Sequence, residues 1–157
     1  MPRQLRVLVV EGQEDSREAL RRQLETWSCV VDTATDGEDG VRLALQGNYD
    51  AVILDVNLPE IDGLEVGQMI AQKHAPARPY LCAFSTFEAG PLERERTKLA
   101  GFDKHIEKGS AASMNELEAL MKELRARLSS QQAALDRQRE LTRDRNGRRL
   151  ASPNALA

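Results

Sequence analysis

The sequence predicts a doubly wound α/β fold, in which a five-stranded parallel sheet carries helices on both faces. Short apolar, strand-like runs alternate with amphipathic helical patterns, and five such units follow one another within residues 1–128. The first, third and fourth runs are continuously apolar, as in strands that are covered on both sides. Crossovers between parallel strands are right-handed, so the helices divide between the faces, and we expect the strand order 2-1-3-4-5.

The five expected strands are short runs dominated by apolar residues. The first, "LRVLVV" at 5–10, leads directly into the acidic segment "EGQED". The third, "DAVILD" at 50–55, ends at Asp55. The other expected strands are "CVVDTA" (29–34), "PYLCAF" (79–84) and "DKHIE" (103–107).

Helical patterns lie between these strands, at about 15–26, 36–46, 62–73 and 91–100, and a fifth helix begins near Met114. Several helices open with a capping side chain three residues before a glutamate, which allows the two side chains to bond unpaired backbone N–H groups reciprocally. Pro91 suits the first turn of the fourth helix. The segments with the capping pattern are "DSRE" (15–18), "TDGE" (35–38), "DGLE" (62–65) and "SMNE" (113–116).

The chain of 157 residues suits one domain, residues 1–128, followed by a charged tail, residues 129–157. The tail holds six arginines against three acids, a net charge of +3, which leaves −6 on the domain because the whole chain carries −3. An acidic domain argues against nucleic acid as the main partner. The tail has good helix formers but few apolar residues, so both a helix that pairs with a partner or a second copy and a solvated, frayed tail are compatible with it.

The two cysteines and the amino terminus bear on the compartment. Cys29 and Cys82 both fall in apolar strand-like runs without CxxC spacing, so buried thiols are expected rather than a disulfide, metal or redox site. The segment "MPRQLRVLVV" is too short for a signal peptide, and no apolar run approaches transmembrane length. We therefore expect a cytoplasmic protein with no membrane partner.

Polar side chains stand at the ends of four of the expected strands. Glu11 follows the first strand, Asp55 ends the third, Ser85 and Thr86 follow the fourth, and Lys108 follows the fifth. Ligands of doubly wound sheets bind beyond the carboxyl ends of the strands, so these groups are expected to converge on one rim. A carboxylate there can attack phosphorus, Mg²⁺ can offset the repulsion between acids and a phosphoryl group, and a lysine and a hydroxyl can hold its oxygens. Asp55 is the expected nucleophile.

These segments resemble the receiver domain of two-component response regulators, over about residues 4–128. The matching segments are "VLVVEGQEDSREAL", "YDAVILDVNLPEIDGLEV" and "AGFDKHIEKG", and the last is most similar to receivers attached to hybrid sensor kinases. The resemblance implies a flavodoxin-like fold in which Asp55 accepts a phosphoryl group from a histidine kinase or a phosphotransfer protein. It also implies that Lys108 contacts the phosphoryl group, and that Glu11, Asp55 and the backbone carbonyl of Asn57 bind Mg²⁺.

The sequence departs from the pattern of the family at the first acidic segment. Receivers normally carry two adjacent acids after the first strand, and here Glu11 matches the first while Gly12 replaces the second. Glu14 or Asp15 is a possible substitute ligand, although Asp15 is also the expected helix cap. Because Mg²⁺ can bind through one or two carboxylates plus substrate oxygens, loss of one acid weakens the site without necessarily abolishing it.

Three further positions differ around the switch region of the family. Counting from Pro79 puts Phe84 at the hydroxyl position after the fourth strand, whereas the small-residue pattern favours Ser85, which we take as the hydroxyl donor. His105 replaces the usual aromatic residue and can sense pH. Gly109 stands where a proline usually follows the lysine.

The leading functional hypothesis is a stand-alone receiver, not an enzyme, that acts through protein–protein interaction. Its downstream partner is expected on the face from the fourth to the fifth helix or on the tail, and the tail leaves a homodimer possible. The alternative is a degenerate receiver that binds partners without phosphorylation, which Gly12 favours. A flavin-binding or enzymatic protein on the same fold is the remote alternative, because "EGQED" lacks the hydroxyls of a phosphate-binding loop and no GxxxxGK segment occurs.

Overall fold

A computed structural model describes residues 3–73, 78–86, 91–143 and 147–149. Its centre is one parallel sheet in the order β2-β1-β3-β4-β5, which confirms the predicted strand order. The register is continuous across the middle of the sheet, where Val10 lies opposite both Ala34 and Leu54. The strands are β1 (Arg6–Val10), β2 (Val30–Ala34), β3 (Ala51–Leu54), β4 (Tyr80–Ser85) and β5 (Lys104–Glu107).

Five helices follow the strands in alternation, as the sequence predicts. The first four agree with the predicted ranges to within about two residues, the usual uncertainty of helix ends. The fifth begins at Ala111, three residues before the predicted Met114. The helices are α1 (Glu14–Thr26), α2 (Gly37–Gln46), α3 (Gly63–Ala71), α4 (Pro91–Leu99) and α5 (Ala111–Leu141).

Two apolar clusters cover the two faces of the sheet. Alternate residues of β1 point to opposite faces, with Val7 and Val9 in one cluster and Leu8 and Val10 in the other. The first cluster packs against α1 and α5, and the second against α2 and α3. The predicted doubly wound, flavodoxin-like α/β fold is therefore confirmed. The three central strands, β1, β3 and β4, are buried on both faces, which leaves their carboxyl ends as the place for polar side chains.

The helix caps show how far local sequence patterns determine helix starts. Asp62 caps α3 as predicted, with its carboxylate accepting from Leu64 N–H at 3.0 Å. The other three capping predictions are wrong. The cap of α2 is Asp36, which accepts from Asp39 N–H, and the cap of α5 is Ser110 in a capping box with Ser113. The cap of α1 is Gln13, whose side chain makes no cap bond, so Asp15 lies inside the first turn.

The fifth helix continues past the predicted domain boundary. It runs without a break from Ala111 to Leu141, and residues 129–141 are exposed along their whole length. The division into 1–128 and 129–157 stays a prediction, and residues 144–146 and 150–157 of the tail lie outside the described part of the chain. None of the helices within the described residues combines the length and apolar character that a membrane crossing requires.

Candidate functional site

Three strands place charged side chains at one end of the sheet. Glu11 directly follows β1, Asp55 directly follows β3 and Lys108 directly follows β5. The backbone keeps this edge in register, because Asp55 N–H donates to Val10 C=O at 2.9 Å and Lys108 N–H donates to Ser85 C=O at 2.6 Å. Residues separated by up to 97 positions in the chain therefore meet within hydrogen-bonding distance.

The Lys108 ammonium lies between two carboxylates. Its Nζ donates to Glu11 Oε2, and it contacts Asp55 Oδ2 at 3.2 Å. The three side chains are mostly buried, with exposed fractions of 12% for Lys108, 4% for Glu11 and 11% for Asp55. Buried charges of this kind persist when they are paired and hydrogen-bonded, which is the arrangement here. Glu11, Asp55 and Lys108 together form what we call the acidic cluster, with a formal charge of −1 when all three are ionised.

Burial and pairing act in opposite directions on Glu11. Burial raises the pKa of the Glu11 carboxyl, and the hydrogen bond from Lys108 opposes that shift. Both carboxylates also accept from the backbone: Gln13 N–H donates to Glu11 Oε1 at 3.3 Å, and Asn57 N–H donates to Asp55 Oδ1 at 2.9 Å. In each carboxylate, one oxygen thus accepts from the Lys108 ammonium and the other accepts from a backbone N–H, which fixes the orientation of the group.

The donor set is chemically suited to Mg²⁺ but small. The predicted ligands Glu11 and Asp55 lie together on Lys108, and Asn57 follows Asp55 by two residues in an exposed loop. Carboxylate and carbonyl oxygens are the ligands that Mg²⁺ takes in proteins. Within the described ranges, however, no group of three or more His, Cys, Asp and Glu side chains is arranged to hold a metal ion. The residues present would hold the ion through two carboxylates and a carbonyl.

Gly12 is not required by its backbone conformation. Its φ is not among the positive values found at Gly101, Gly109 and Gly147, so an L-amino acid can take its place without strain there. A Cβ atom at Gly12 would lie 3.3 Å from Cδ of Pro59. The candidate substitutes for the missing acid, Glu14 and Asp15, are exposed in the first turn of α1.

Arg17 of α1 lies beside this loop instead of an acid. Its guanidinium donates to the backbone carbonyl of Glu11 at 3.1 Å, and its side chain is half-buried. The loop after β1 therefore has a cation close to Gly12, where the family carries its second carboxylate. A positive charge beside this loop makes the edge of the sheet less attractive to a divalent cation.

The structure does not bring Ser85 to the acidic cluster, and this corrects the choice of Ser85 as hydroxyl donor. Leu54 lies opposite Ala83, so Phe84 takes the row next to Asp55. Phe84 belongs to the apolar cluster on the α1 and α5 face, and Lys108 Nζ lies 5.5 Å from the centre of its ring. Ser85 points to the opposite face, because successive residues of a strand alternate. Counting from Pro79 was the sequence signal that could have found this arrangement.

Ser85 is instead part of a second polar group on the α4 side of the sheet. Its hydroxyl is bonded to His105 Nε2 at 3.0 Å, and Thr97 of α4 contacts His105 Nδ1 at 3.3 Å. His105 stands out in the sequence but Thr97 does not, because no local pattern marks a threonine as the contact between a helix and a strand. Gly109 has φ +91°, a left-handed conformation that favours glycine.

A doubly wound sheet with an acidic cluster at the carboxyl ends of its strands is typical of a signalling receiver, and comparison with known proteins identifies the family. The response regulator receiver domain family matches residues 7–122, which is well over half of the chain. The chain belongs to this family. Its members are generally signalling modules of two-component systems rather than enzymes, which weighs against the flavin-binding and enzymatic alternatives.

Similar proteins come from several bacteria. The chain is 36% identical over 70 residues to the transcriptional regulatory protein ResD of Bacillus subtilis (45% of this chain, 29% of that protein). It is 36% identical over 86 residues to the transcriptional regulatory protein CusR of Escherichia coli K12 (54% and 37%). These matches span about a third of each relative. Because both relatives are named as transcriptional regulatory proteins, the expectation that nucleic acid is not a partner of this chain stays a prediction.

Solved structures of receivers share the fold. The response regulator TrrA of Thermotoga maritima, in complex with Mg²⁺–BeF, is 30% identical with a TM-score of 0.67, covering 76% of this chain and 98% of TrrA. The receiver domain of a sensor histidine kinase of Pseudomonas aeruginosa PAO1 is 24% identical with a TM-score of 0.68, covering 78% and 98%. That domain has a magnesium ion coordinated in its active site cleft.

Proposed function

We propose that this chain is a receiver in which Asp55 accepts a phosphoryl group from the histidine of a kinase or phosphotransfer protein. The observation that carries the proposal is the contact between Lys108 Nζ and Asp55 Oδ2 at 3.2 Å, at the carboxyl end of β3. The Lys108 ammonium thus lies beside the nucleophile, where it can pair with the negative charge of an incoming phosphoryl group. We expect the protein to act in the cytoplasm, where response regulators typically meet their kinases.

The protein groups that take part in this chemistry lie at this end of the sheet. An oxygen of Asp55 attacks phosphorus, the bond from phosphorus to the donor nitrogen breaks, and an acyl phosphate forms on the aspartate. Lys108 then pairs with a phosphoryl oxygen in exchange for part of its contact with the carboxylates. Bound Mg²⁺ would neutralise charge between the phosphoryl oxygens and the acids, held by Glu11, Asp55 and the Asn57 carbonyl. With Gly12 in place of the second acid, we expect weak Mg²⁺ affinity and slow transfer.

The output that we propose for this receiver is a change in its affinity for a protein partner. The α4 to α5 face is the surface we propose for it, and α4 exposes Leu92 and Leu99, at 72% and 78%. Solvent-exposed leucines on one helix suit an apolar patch on a protein partner. The tail beyond Leu128 is the second candidate surface, since residues 129–141 form an exposed helix.

A second candidate function is a degenerate receiver that binds its partner in one fixed state. Two observations favour it: Gly12 supplies no metal ligand, and Phe84 takes the row beside Asp55 without a hydroxyl. In that case, Lys108 stays bonded to Glu11 and Asp55, and the acidic cluster serves the stability of the fold.

Labelling with a small phosphodonor separates the two candidates. The chain is incubated with acetyl phosphate and Mg²⁺, and the intact mass is measured next to an active receiver and the Asp55→Asn variant. Gain of one phosphoryl mass in the chain but not in Asp55→Asn is the expected result. No gain in the chain, while the active receiver is labelled, would favour the degenerate receiver.

The Gly12→Asp substitution tests whether the glycine is the defect. We expect faster labelling at low Mg²⁺ concentration, because a third carboxylate strengthens binding of the ion. The backbone at this position accepts an L-amino acid, and only the ring of Pro59, at 3.3 Å from the new Cβ, needs to shift. Gly12→Ala is the matched control, since it adds the same Cβ without the carboxylate. Equal labelling rates for the two variants would show that the missing acid does not limit the reaction.

A further inference from the structure

A polar cleft of about 460 Å³ lies at the amino ends of the strands, at the opposite edge of the sheet from the acidic cluster. Residues at or just before the starts of β1, β3, β4 and β5 line one wall, and α5 lines the other. Pockets for small molecules typically hold about 300–1,000 Å³. Phosphoryl transfer at the carboxyl edge makes no use of this cleft. Its charged and aromatic lining includes Arg3, Asp50, Arg78, Tyr80, Asp103 and Arg127.

The cleft is cationic, although the domain around it is acidic. Three arginines and two aspartates line it, which gives a formal charge of +1, whereas residues 1–128 carry −6. A concave site lined by an excess of one charge concentrates the field and attracts ions of the opposite sign. The cleft therefore favours an anion, which most of the surface of this domain repels.

Two aspartates hold the guanidinium groups of Arg3 and Arg78 in place. Asp50 accepts two N–H bonds from Arg3, each at 2.8 Å, and also accepts a backbone N–H of β1 at 2.8 Å. Asp103 accepts from Arg78 at 2.8 Å and from a backbone N–H of β4 at 2.8 Å. Each aspartate is thus fixed to a neighbouring strand and orients one arginine.

Both guanidinium groups keep donors for a ligand. Each makes three hydrogen bonds to the described residues, fewer than the number of its N–H donors, and two of those of Arg78 are long, at 3.4 Å. The side chains of Arg3 and Arg78 are 55% and 29% exposed, so solvent reaches both. Oriented guanidinium groups with spare donors suit a phosphoryl group, whose oxygens accept several N–H bonds at once.

The wall from α5 combines a third arginine with apolar side chains. Leu124 and Leu128 line the cleft, and the guanidinium carbon of Arg127 lies 5.9 Å from the centre of the Tyr80 ring. Arg127 also pairs with Glu123 at 2.7 Å, but both side chains are more than half exposed, so water weakens this contact. The cleft therefore offers charged donors together with two leucines and an aromatic ring.

We propose that this cleft binds a small organic phosphate, in which a phosphoryl group is attached to a compact apolar or aromatic body. The phosphoryl oxygens accept from the guanidinium groups of Arg3, Arg78 and Arg127, and the body lies against the two leucines of α5. A bound ligand then joins the strand starts to α5. The site does not depend on phosphorylation of Asp55, which lies at the other end of β3.

Titration of the full-length chain with phenyl phosphate, followed by amide NMR in the absence of Mg²⁺ and at low ionic strength, tests the site. We expect saturable shifts at the starts of β3, β4 and β5 and in α5 around Arg127. Inorganic phosphate and phenol each carry one half of the probe, so each should bind at least about tenfold more weakly. Shifts that do not saturate, or that are confined to the carboxyl edge of the sheet, would overturn the proposal. Inorganic phosphate that binds as tightly as phenyl phosphate would overturn an organic ligand.

Two arginine variants locate the binding groups. Arg127→Gln and Arg3→Gln should each weaken the binding of phenyl phosphate by about tenfold, as expected when a charge-assisted hydrogen bond is lost. The Arg127 side chain is 58% exposed, so its replacement leaves the fold intact.

Arg42→Gln is the matched control for these variants. Arg42 of α2 is 54% exposed, pairs with Asp39 and does not line the cleft, so its loss removes the same charge from elsewhere on the surface. Arg42→Gln and Asp55→Asn should both bind phenyl phosphate like the wild type, and the second keeps the result separate from phosphoryl transfer. Equal affinity in Arg3→Gln, Arg127→Gln and Arg42→Gln would overturn the proposed site.

Discussion

Lys108 determines the charge balance at the carboxyl edge of the sheet. Its ammonium is shared by Glu11 and Asp55, and all three side chains are mostly buried. An isolated buried carboxylate is far less stable than a paired one. The lysine therefore has a structural role that does not depend on whether Asp55 is ever phosphorylated.

Replacement of Lys108 by methionine should lower the free energy of unfolding by about 3 kcal/mol at neutral pH, as expected when one partner leaves a buried ion pair. The measurement is urea unfolding without divalent cations. The loss should shrink as the pH falls. Without the ammonium, the pKa of Glu11 rises further, so the folded state binds more protons than the unfolded state and gains stability on acidification.

Two variants control this experiment. Lys122→Met removes a lysine that is 71% exposed, and it should change the free energy of unfolding by less than about 0.5 kcal/mol. The double variant Lys108→Met/Glu11→Gln should recover much of the loss, because it removes the buried charge as well. A Lys108→Met variant as stable as the wild type would show that the carboxylates do not depend on the lysine.

At the scale of elements, the junction between β3 and α3 holds the acceptor in place. Asp62 caps α3, and Gly63, its first residue, packs directly on the backbone after β3. A Cβ at Gly63 would lie 2.4 Å from Val56 Cα and 2.6 Å from the carbonyl oxygen of Asp55. These neighbours are backbone atoms, so no side-chain rotation can make room.

Gly63→Ala should therefore move the Asp55 loop away from α3. We expect a loss of about 1–3 kcal/mol in the free energy of unfolding, typical of overpacking, measured by denaturant titration. If Asp55 accepts phosphate, the same variant should be labelled more slowly. In Gly12→Ala the new Cβ is tight only against the Pro59 ring, at 3.3 Å, so the free energy of unfolding should change by no more than about 0.5 kcal/mol. Equal stability of the two variants would contradict the close packing at Gly63.

For the whole molecule, the core ends before the fifth helix does. Both apolar clusters are built from residues between Leu5 and Leu124, with Leu128 packed at the margin. The helix nevertheless continues to Leu141, and on this extension Leu135 and Leu141 are 50% and 81% exposed. The extension is thus joined to the domain without adding to its core.

A chain that ends at Leu128 should therefore unfold with nearly the same free energy as the full-length chain. We expect a difference within about 0.5 kcal/mol in urea, because residues 129–141 are exposed and bury little apolar surface. Sedimentation of the two chains then tests the tail. Equal monomer masses would rule out self-association through the tail, and a greater mass for the full-length chain alone would show that the extension pairs.

The order of the elements and the meeting of all three side chains of the acidic cluster could be predicted from the sequence. Hydrophobic periodicity marks each strand, and Glu11, Asp55 and Lys108 follow directly after strands. Because parallel strands end at the same edge of a sheet, their convergence could be predicted without coordinates.

The sequence left two arrangements of Ser85 and Phe84 open, and the register of β4 in the sheet shows which face each residue occupies. Side chains alternate along a strand, so an error of one residue in the register moves a hydroxyl to the other side of the sheet. The contact of Thr97 with His105 could not be predicted from the sequence either, because it joins a helix and a strand that local patterns describe separately. Local sequence specifies a strand and its end; the side to which each residue points depends on its neighbours across the sheet.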